Sequence, residues 1–210
     1  MHDFDAEFRQ HLIELLSWRR DVRRFRRDPL PEGLLDRLLE LAALTPSVGL
    51  SQPWRFVLVE DPARRALVRA DFEHANAAAL TAYEGDEAQH YARLKLAGLD
   101  AAPVHIAVFA DRGTEQGHGL GRHTMPEMIE YSTVMAIYTL WLVARAEGVG
   151  LGWVSILDPA EIGRILDVPP GWSFIGYLCV GYPEHEAITP ELEHEGWERR
   201  RKWQSWVLRR

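Results

Sequence analysis

The chain of 210 residues has one cysteine, Cys179. An internal disulfide framework and a cysteine-based zinc site are therefore both excluded. Cys179 lies in the apolar run 173–180, where a thiol reads as a small buried hydrophobe. There is no apolar run long enough for a bilayer, which needs about 20 residues; the longest, Tyr131 to Ala144, is flanked by Glu130 and Arg145. The opening residues, Met1 to Gln10, mix acids and aromatics and lack the apolar core of a secretory signal. These features make a soluble, cytoplasmic protein the expectation, with no membrane partner. GxSxG, Walker A and HExxH patterns are absent, as are repeats and Gly/Ser linkers. His118 and His123 sit near Glu115 and Glu127, but no further ligand completes a metal site, so none is expected.

What remains is a globular composition, 47% hydrophobic with eight Trp and seven Phe, enough for one large domain over residues 1–210. The net charge of −7 argues against nucleic acid. Yet six of the nine residues from Arg19 to Arg27 are arginine, and the C-terminus from Arg199 is basic again. Concentrated arginines on an acidic protein suit a small anionic ligand.

Periodicity predicts helices over 5–20 (Phe8, Leu12, Leu15 and Leu16 on one face), from Pro31 to Thr45, 62–83, 91–97, 126–147 and from Pro159. Strands are predicted at 55–60, 104–110, 150–156 and 173–180. Helices interleaved with four or five strands give an α+β or α/β layered fold. The helix from Met128 to Glu147 is apolar nearly all round, so it is expected to be buried on every side, in part against a second subunit.

Three segments carry the chemistry. Arg19-Arg20-Asp21-Val22-Arg23 combines forked phosphate donors with a carboxylate that its neighbours are expected to hold ionised; a charged helix end with local ion pairs is the alternative. The loop 45–56 (TPSVGLSQPWRF) offers hydroxyls, an amide and free backbone N–H groups to a heterocycle edge, or is simply a turn. Gly148, Gly150 and Gly152 permit close backbone approach to a ligand, or else cap a helix and start a buried strand.

Together and in this order, RRDVR at 19–23, PSVGLSQPWRF at 46–56, LKLAG at 94–98, GRHTMPEM at 121–128, YSTV at 131–134 and LWLVARAEGVGLGWVSI at 140–156 resemble the nitroreductase superfamily, as do Gly196-Trp197 and Arg200. Within it they resemble the 5,6-dimethylbenzimidazole synthase branch; ordinary nitroreductases usually carry serine where Asp21 stands. The resemblance implies a homodimeric α+β sandwich that binds FMN, with a central mixed sheet flanked by helices. It implies a lid at about 83–98 and a C-terminal extension at about 184–210. The implied reaction fragments reduced FMN with molecular oxygen to 5,6-dimethylbenzimidazole, the lower ligand of vitamin B12. FMN is then substrate, and a flavin reductase is a possible partner. Asp21 and Ser155 match the branch's essential residues. Arg19, Arg20, Asp21, Val22, Arg23 and Arg200 would hold FMN, Ser47, Gly49 and Gln52 would face its ring or ribityl chain, Ser155 would bond the ring, and Leu96 would belong to the lid. The alternative within the superfamily is an FMN-dependent NAD(P)H nitroreductase.

Overall fold

A computed structural model describes residues 3–81 and 97–210. Helix α1 (Ala6–Trp18) starts where the Asp5 carboxylate accepts the Phe8 N–H at 2.8 Å. It fully buries none of its residues; Leu15 is half-buried, while Phe8, Leu12, Ile13 and Leu16 stay exposed, so most of the predicted apolar face is left uncovered among the described residues. Helix α2 (Leu34–Ala42) begins three residues later than Pro31 suggests. Pro31 instead accepts the Leu34 N–H in a turn, and Gly33 enters the helix at φ 75°. The structure continues with β1 (Trp54–Leu58), α3 (Pro62–Leu80), α4 (Gly98–Ala101), β2 (Val104–Asp111), α5 (Met128–Ala146), β3 (Gly150–Val154), α6 (Pro159–Leu166), β4 (Trp172–Gly181) and α7 (Glu191–His194). Asp61 and Asp158 cap α3 and α6, each followed by proline in the first turn. The predicted lid, with Leu96 and the helix at 91–97, lies almost wholly outside the described residues.

Among the described residues four strands form one sheet in the order β1-β2-β4-β3, and every neighbouring pair is antiparallel. Among the described residues the parallel element of the expected mixed sheet is a single bridge, Asp21 to Leu151, on the free edge of β3. The sheet is covered on both faces. On one side Phe109, Tyr177, Val154 and Cys179 pack with Val68 of α3 and Ile162, Ile165 and Leu166 of α6. On the other, Ile106, Val108, Leu151, Leu178 and Val180 pack with Leu38 and Ala42 of α2 and Ile137, Leu140 and Ala144 of α5. A two-sided sheet explains why β2 is buried at six consecutive positions, His105 to Ala110.

Within the chain, helix α5 is buried on one face. Seven of its residues are buried, from Ile129 to Ala144, but Tyr131, Val134, Met135 and Tyr138 are 39–50% exposed. Its all-round apolarity therefore covers the sheet on one side only, and the second apolar face is open in the single chain. Among the described residues no helix is long and apolar enough to cross a membrane.

Candidate functional site

The arginine segment leaves α1 as extended chain and docks on the edge of β3. The Val22 N–H donates to the Leu151 carbonyl at 3.0 Å, the Arg26 N–H to Tyr182, and the Glu184 N–H to Arg24. Phe25 is buried in the core and Val22 packs against the same cluster. These two apolar anchors hold the charged residues between them in fixed places. The docking is so close that glycine is required beneath it. A Cβ on Gly152 would meet the Val22 carbonyl oxygen at 2.1 Å, and one on Gly150 would meet the Val22 side chain at 2.7 Å. The close approach read from the glycines is thus made by the protein's own arginine segment, not directly by a ligand. Gly148, at φ 72°, ends α5 in the left-handed conformation.

Asp21 sits on this edge. Its Oδ1 accepts the Trp153 N–H at 2.9 Å, and its Oδ2 lies 3.9 Å from Arg23 Nε. One face of the carboxylate stays open, at 41% side-chain exposure. Its pKa is raised: burial in the surrounding protein outweighs the bond from Trp153 and the charges of Arg23 and Arg19, with Glu191 adding to the rise. The arginines expected to hold it ionised do lower its pKa, but by less than burial raises it. The reason is that Arg19 stacks over Trp141, 4.8 Å from the ring centre, rather than pairing with the carboxylate, and Arg23 approaches it only at 3.9 Å.

The guanidiniums are short of acceptors. Arg19 Nε, Arg20 Nε and Arg23 Nη1 are buried without a hydrogen-bond partner among the described residues. A buried donor left unpaired costs about 1–3 kcal/mol, more when charged. Arg20 does donate to the carbonyls of Arg19 and Ile188. Its pKa is lowered by burial, then by Arg200 and Arg19, which places the exposed Arg200 within electrostatic reach of the cluster. Arg20, Asp21, Val22 and Arg23 line a cleft of about 510 Å³, whose far wall is the segment 185–195 with His185, Glu191 and His194. Two of these orphaned donors, on Arg20 and Arg23, belong to residues that line the cleft, and they fit a phosphate group.

Ser155 is exposed directly after β3, two residues beyond the N–H that holds Asp21. The loop 47–52 lies elsewhere. It is pinned to the start of α5, where Ser132 Oγ accepts the Val48 N–H at 3.0 Å, and Ser47 Oγ accepts the Gln52 N–H at 3.0 Å. Gly49, Leu50 and Gln52 all have positive φ, 57°, 56° and 41°. Strain of this kind, of order 1–3 kcal/mol for each non-glycine residue, persists where the surroundings fix it and clusters at functional sites. Ser51 Oγ is a further buried hydroxyl with no partner among the described residues. Within one chain, Ser47, Gly49 and Gln52 do not line the Asp21 cleft.

Sequence reasoning missed the Trp153 N–H, the wall 185–195 and Gln116, whose amide meets Gln52. All lie more than 60 residues from the groups they serve, so no local pattern announces them. No cluster of three or more His, Cys, Asp or Glu suited to a metal occurs among the described residues. Cys179 is buried and its thiol is pushed up to about 12 by that burial, which leaves it unreactive.

Comparison with known proteins agrees with this architecture. A protein of Rhodospirillum rubrum named 5,6-dimethylbenzimidazole synthase is 56% identical over 94% of both chains. One of the same name from Rhodobacter capsulatus is 51% identical over 93% of this chain and 95% of its own. The crystal structure of oxidized iodotyrosine deiodinase bound to FMN and 3-iodo-L-tyrosine superposes with a TM-score of 0.73 at 23% identity, covering 95% of this chain and 97% of that one. The profile described as Nitroreductase family matches residues 16–182, and with relatives at this identity the chain belongs to the nitroreductase family.

Proposed function

We propose that this chain converts reduced FMN and molecular oxygen to 5,6-dimethylbenzimidazole, as a homodimer in which FMN is consumed. The observation that carries the reading is the near-full-length identity to the two proteins of that name. Asp21 gives it a chemical basis. A phosphate clamp has no use for a carboxylate among its guanidiniums, whereas C–C cleavage needs a positioned acid or base.

Arg19, Arg20 and Arg23, with Arg200 in electrostatic reach of Arg20, would hold the phosphate; the orphaned donors of the first three fit it. Reduced FMN supplies the electrons that oxygen takes up and the ring atoms of the product. Asp21, whose pKa burial raises, can give or take a proton at Oδ2, since Oδ1 is fixed by Trp153. Ser155 offers a hydroxyl to the ring from the end of β3. Ser47, Gly49 and Gln52 read the ring or ribityl chain.

The dimer explains how separated segments meet. Trp141 Nε1 donates to the Arg20 carbonyl at 3.0 Å, and Ser132 receives Val48, so α5 carries the arginine segment at one place and the loop at another. These anchor points are about 13 Å apart along the helix. The exposed Val134, Met135 and Tyr138 lie between them. Antiparallel contact of two α5 helices across these residues brings the loop of one subunit beside the arginines of the other, and the open face of α1 extends that contact. A separate flavin reductase supplies the reduced FMN. A cytoplasmic setting fits a chain whose single thiol is buried and unpaired.

The test is anaerobic reduction of FMN with the protein, then air, then analysis of the small molecules. Loss of flavin colour with formation of 5,6-dimethylbenzimidazole supports the proposal. Return of yellow FMN without product, with rapid NADPH turnover, assigns the chain to the NAD(P)H nitroreductases instead.

A further inference from the structure

The Gly- and His-rich loop 111–123 has no part in the function described so far. It is, however, built against the strained loop 47–52 with unusual closeness. A Cβ on Gly117 would meet the Gly49 carbonyl oxygen at 2.4 Å, one on Gly121 would meet Val48 Cγ2 at 2.7 Å, and one on Gly49 would meet the carbonyl oxygens of Gly117 and Leu120 at 3.0 Å. Gly117, His118, Gly119 and Gly121 all have positive φ, so the loop is coiled into a shape that few sequences adopt. From it Gln116 reaches across. Its Nε2 donates to the Leu50 carbonyl at 2.8 Å and to Gln52 Oε1 at 3.1 Å. Arg55, aligned by Asp111 at 2.7 Å, secures the other side by donating to the Gln52 carbonyl at 3.1 Å.

A backbone carbonyl can only accept, so Leu50 obliges Gln116 to present its NH₂ group. That group then obliges Gln52 to turn its oxygen toward Gln116, which leaves the Gln52 NH₂ facing outward. We propose that Gln116 is a positioning residue: it sets the Gln52 amide so that this loop offers donors, and not an acceptor, to the flavin. The ligand feature recognised is therefore an acceptor, a ring carbonyl or a deprotonated ring nitrogen. The inference rests on the reading that Gln52 faces FMN.

The experiment compares wild type, Gln116→Glu and Gln116→Lys in the full-length protein with oxidised FMN. Glutamate cannot donate, so it releases Leu50 and draws the Gln52 NH₂ toward itself, turning the amide over. Lysine still donates to both oxygens. Gln116→Glu is expected to weaken FMN binding about three- to tenfold, the worth of one misplaced hydrogen bond, and to shift the visible absorption bands of the bound flavin. Gln116→Lys is expected to recover most of the affinity. In a Gln52→Ala background, Gln116→Glu should have no further effect on binding, because the group it acts through is gone. Thermal midpoints of all variants report folding separately. Equal losses in the Glu and Lys variants, or an undiminished effect of Gln116→Glu without Gln52, overturn the inference while leaving FMN binding by the wild type intact. A wild type that takes up no FMN overturns the functional reading, and the inference with it.

Discussion

Replacing Gly152 by alanine tests the link between the β3 edge and the chemistry. The added Cβ would stand 2.1 Å from the Val22 carbonyl oxygen, about 1 Å inside even a tight carbon–oxygen contact. Neither partner can turn aside, since both belong to backbone: β3 is paired along its length with β4, and Val22 is fixed by its N–H bond to Leu151. The arginine segment must therefore lift by about 1 Å, and overpacking of this kind costs about 1–3 kcal/mol. The lift lengthens the 2.9 Å bond from Trp153 to Asp21 and moves the guanidiniums that precede and follow it. A displacement of about 1 Å at a reacting group lowers the rate on the order of a hundredfold. Gly148→Ala is the control: nothing lies within 4 Å of its Cβ, and only its φ of 72° is penalised, at about 1 kcal/mol. Product formation in single turnover, FMN titration and thermal unfolding should be measured on both variants. Gly152→Ala is expected to lose FMN affinity and product together, and Gly148→Ala to lose only stability. A folded Gly152→Ala enzyme with wild-type affinity and rate would refute the argument that this glycine exists to seat the arginine segment.

Other expectations concern single groups. Asp21→Asn and Ser155→Gly should both bind FMN and yet form product at least about a hundredfold more slowly; normal product from Asp21→Asn removes that residue from the chemistry. Val134→Glu, placed in the open face of α5, should convert a dimer to a monomer in sedimentation experiments and abolish the reaction with it, and a dimeric variant contradicts the proposed interface. His105 is 3% exposed, with Nδ1 3.0 Å from the Tyr177 hydroxyl, and burial then the Arg65 charge lower its pKa to about 4. The folded form thus resists a proton that the unfolded chain accepts at about 6.5. The stability from a neutral His105 is complete above the unfolded value and is lost as pH falls from about 6.5 to 4, by about 3 kcal/mol in all. Urea unfolding at a series of pH values should show that slope, and a slope unchanged in His105→Gln would assign it to other groups.

The extent to which these features are legible in sequence differs between levels. Apolar periodicity and the Asp-Pro pairs at 61–62 and 158–159 place the main helices and strands of the described residues within a few positions, because caps and hydrophobic spacing act locally. The arginine cluster, the strained loop and the glycine-bearing strand are visible as residue types for the same reason. The second apolar face of α5 is also visible, as composition, though not the fact that the sheet covers only half of it.

Tertiary structure alone decided the rest. That Gly150 and Gly152 face Val22 follows from a bridge between residues about 130 apart, and no spacing rule connects them. The burial that raises the Asp21 pKa against the pull of its arginines is not visible in sequence, because charge adjacency along a chain says nothing of desolvation, nor of Arg19 turning to Trp141. The role of Gln116 likewise required two loops, 60 residues apart, to be folded against each other. Sequence fixes what each residue can donate, accept or exclude; the fold decides which partner it meets, because desolvation and hydrogen-bond direction are properties of assembled surroundings.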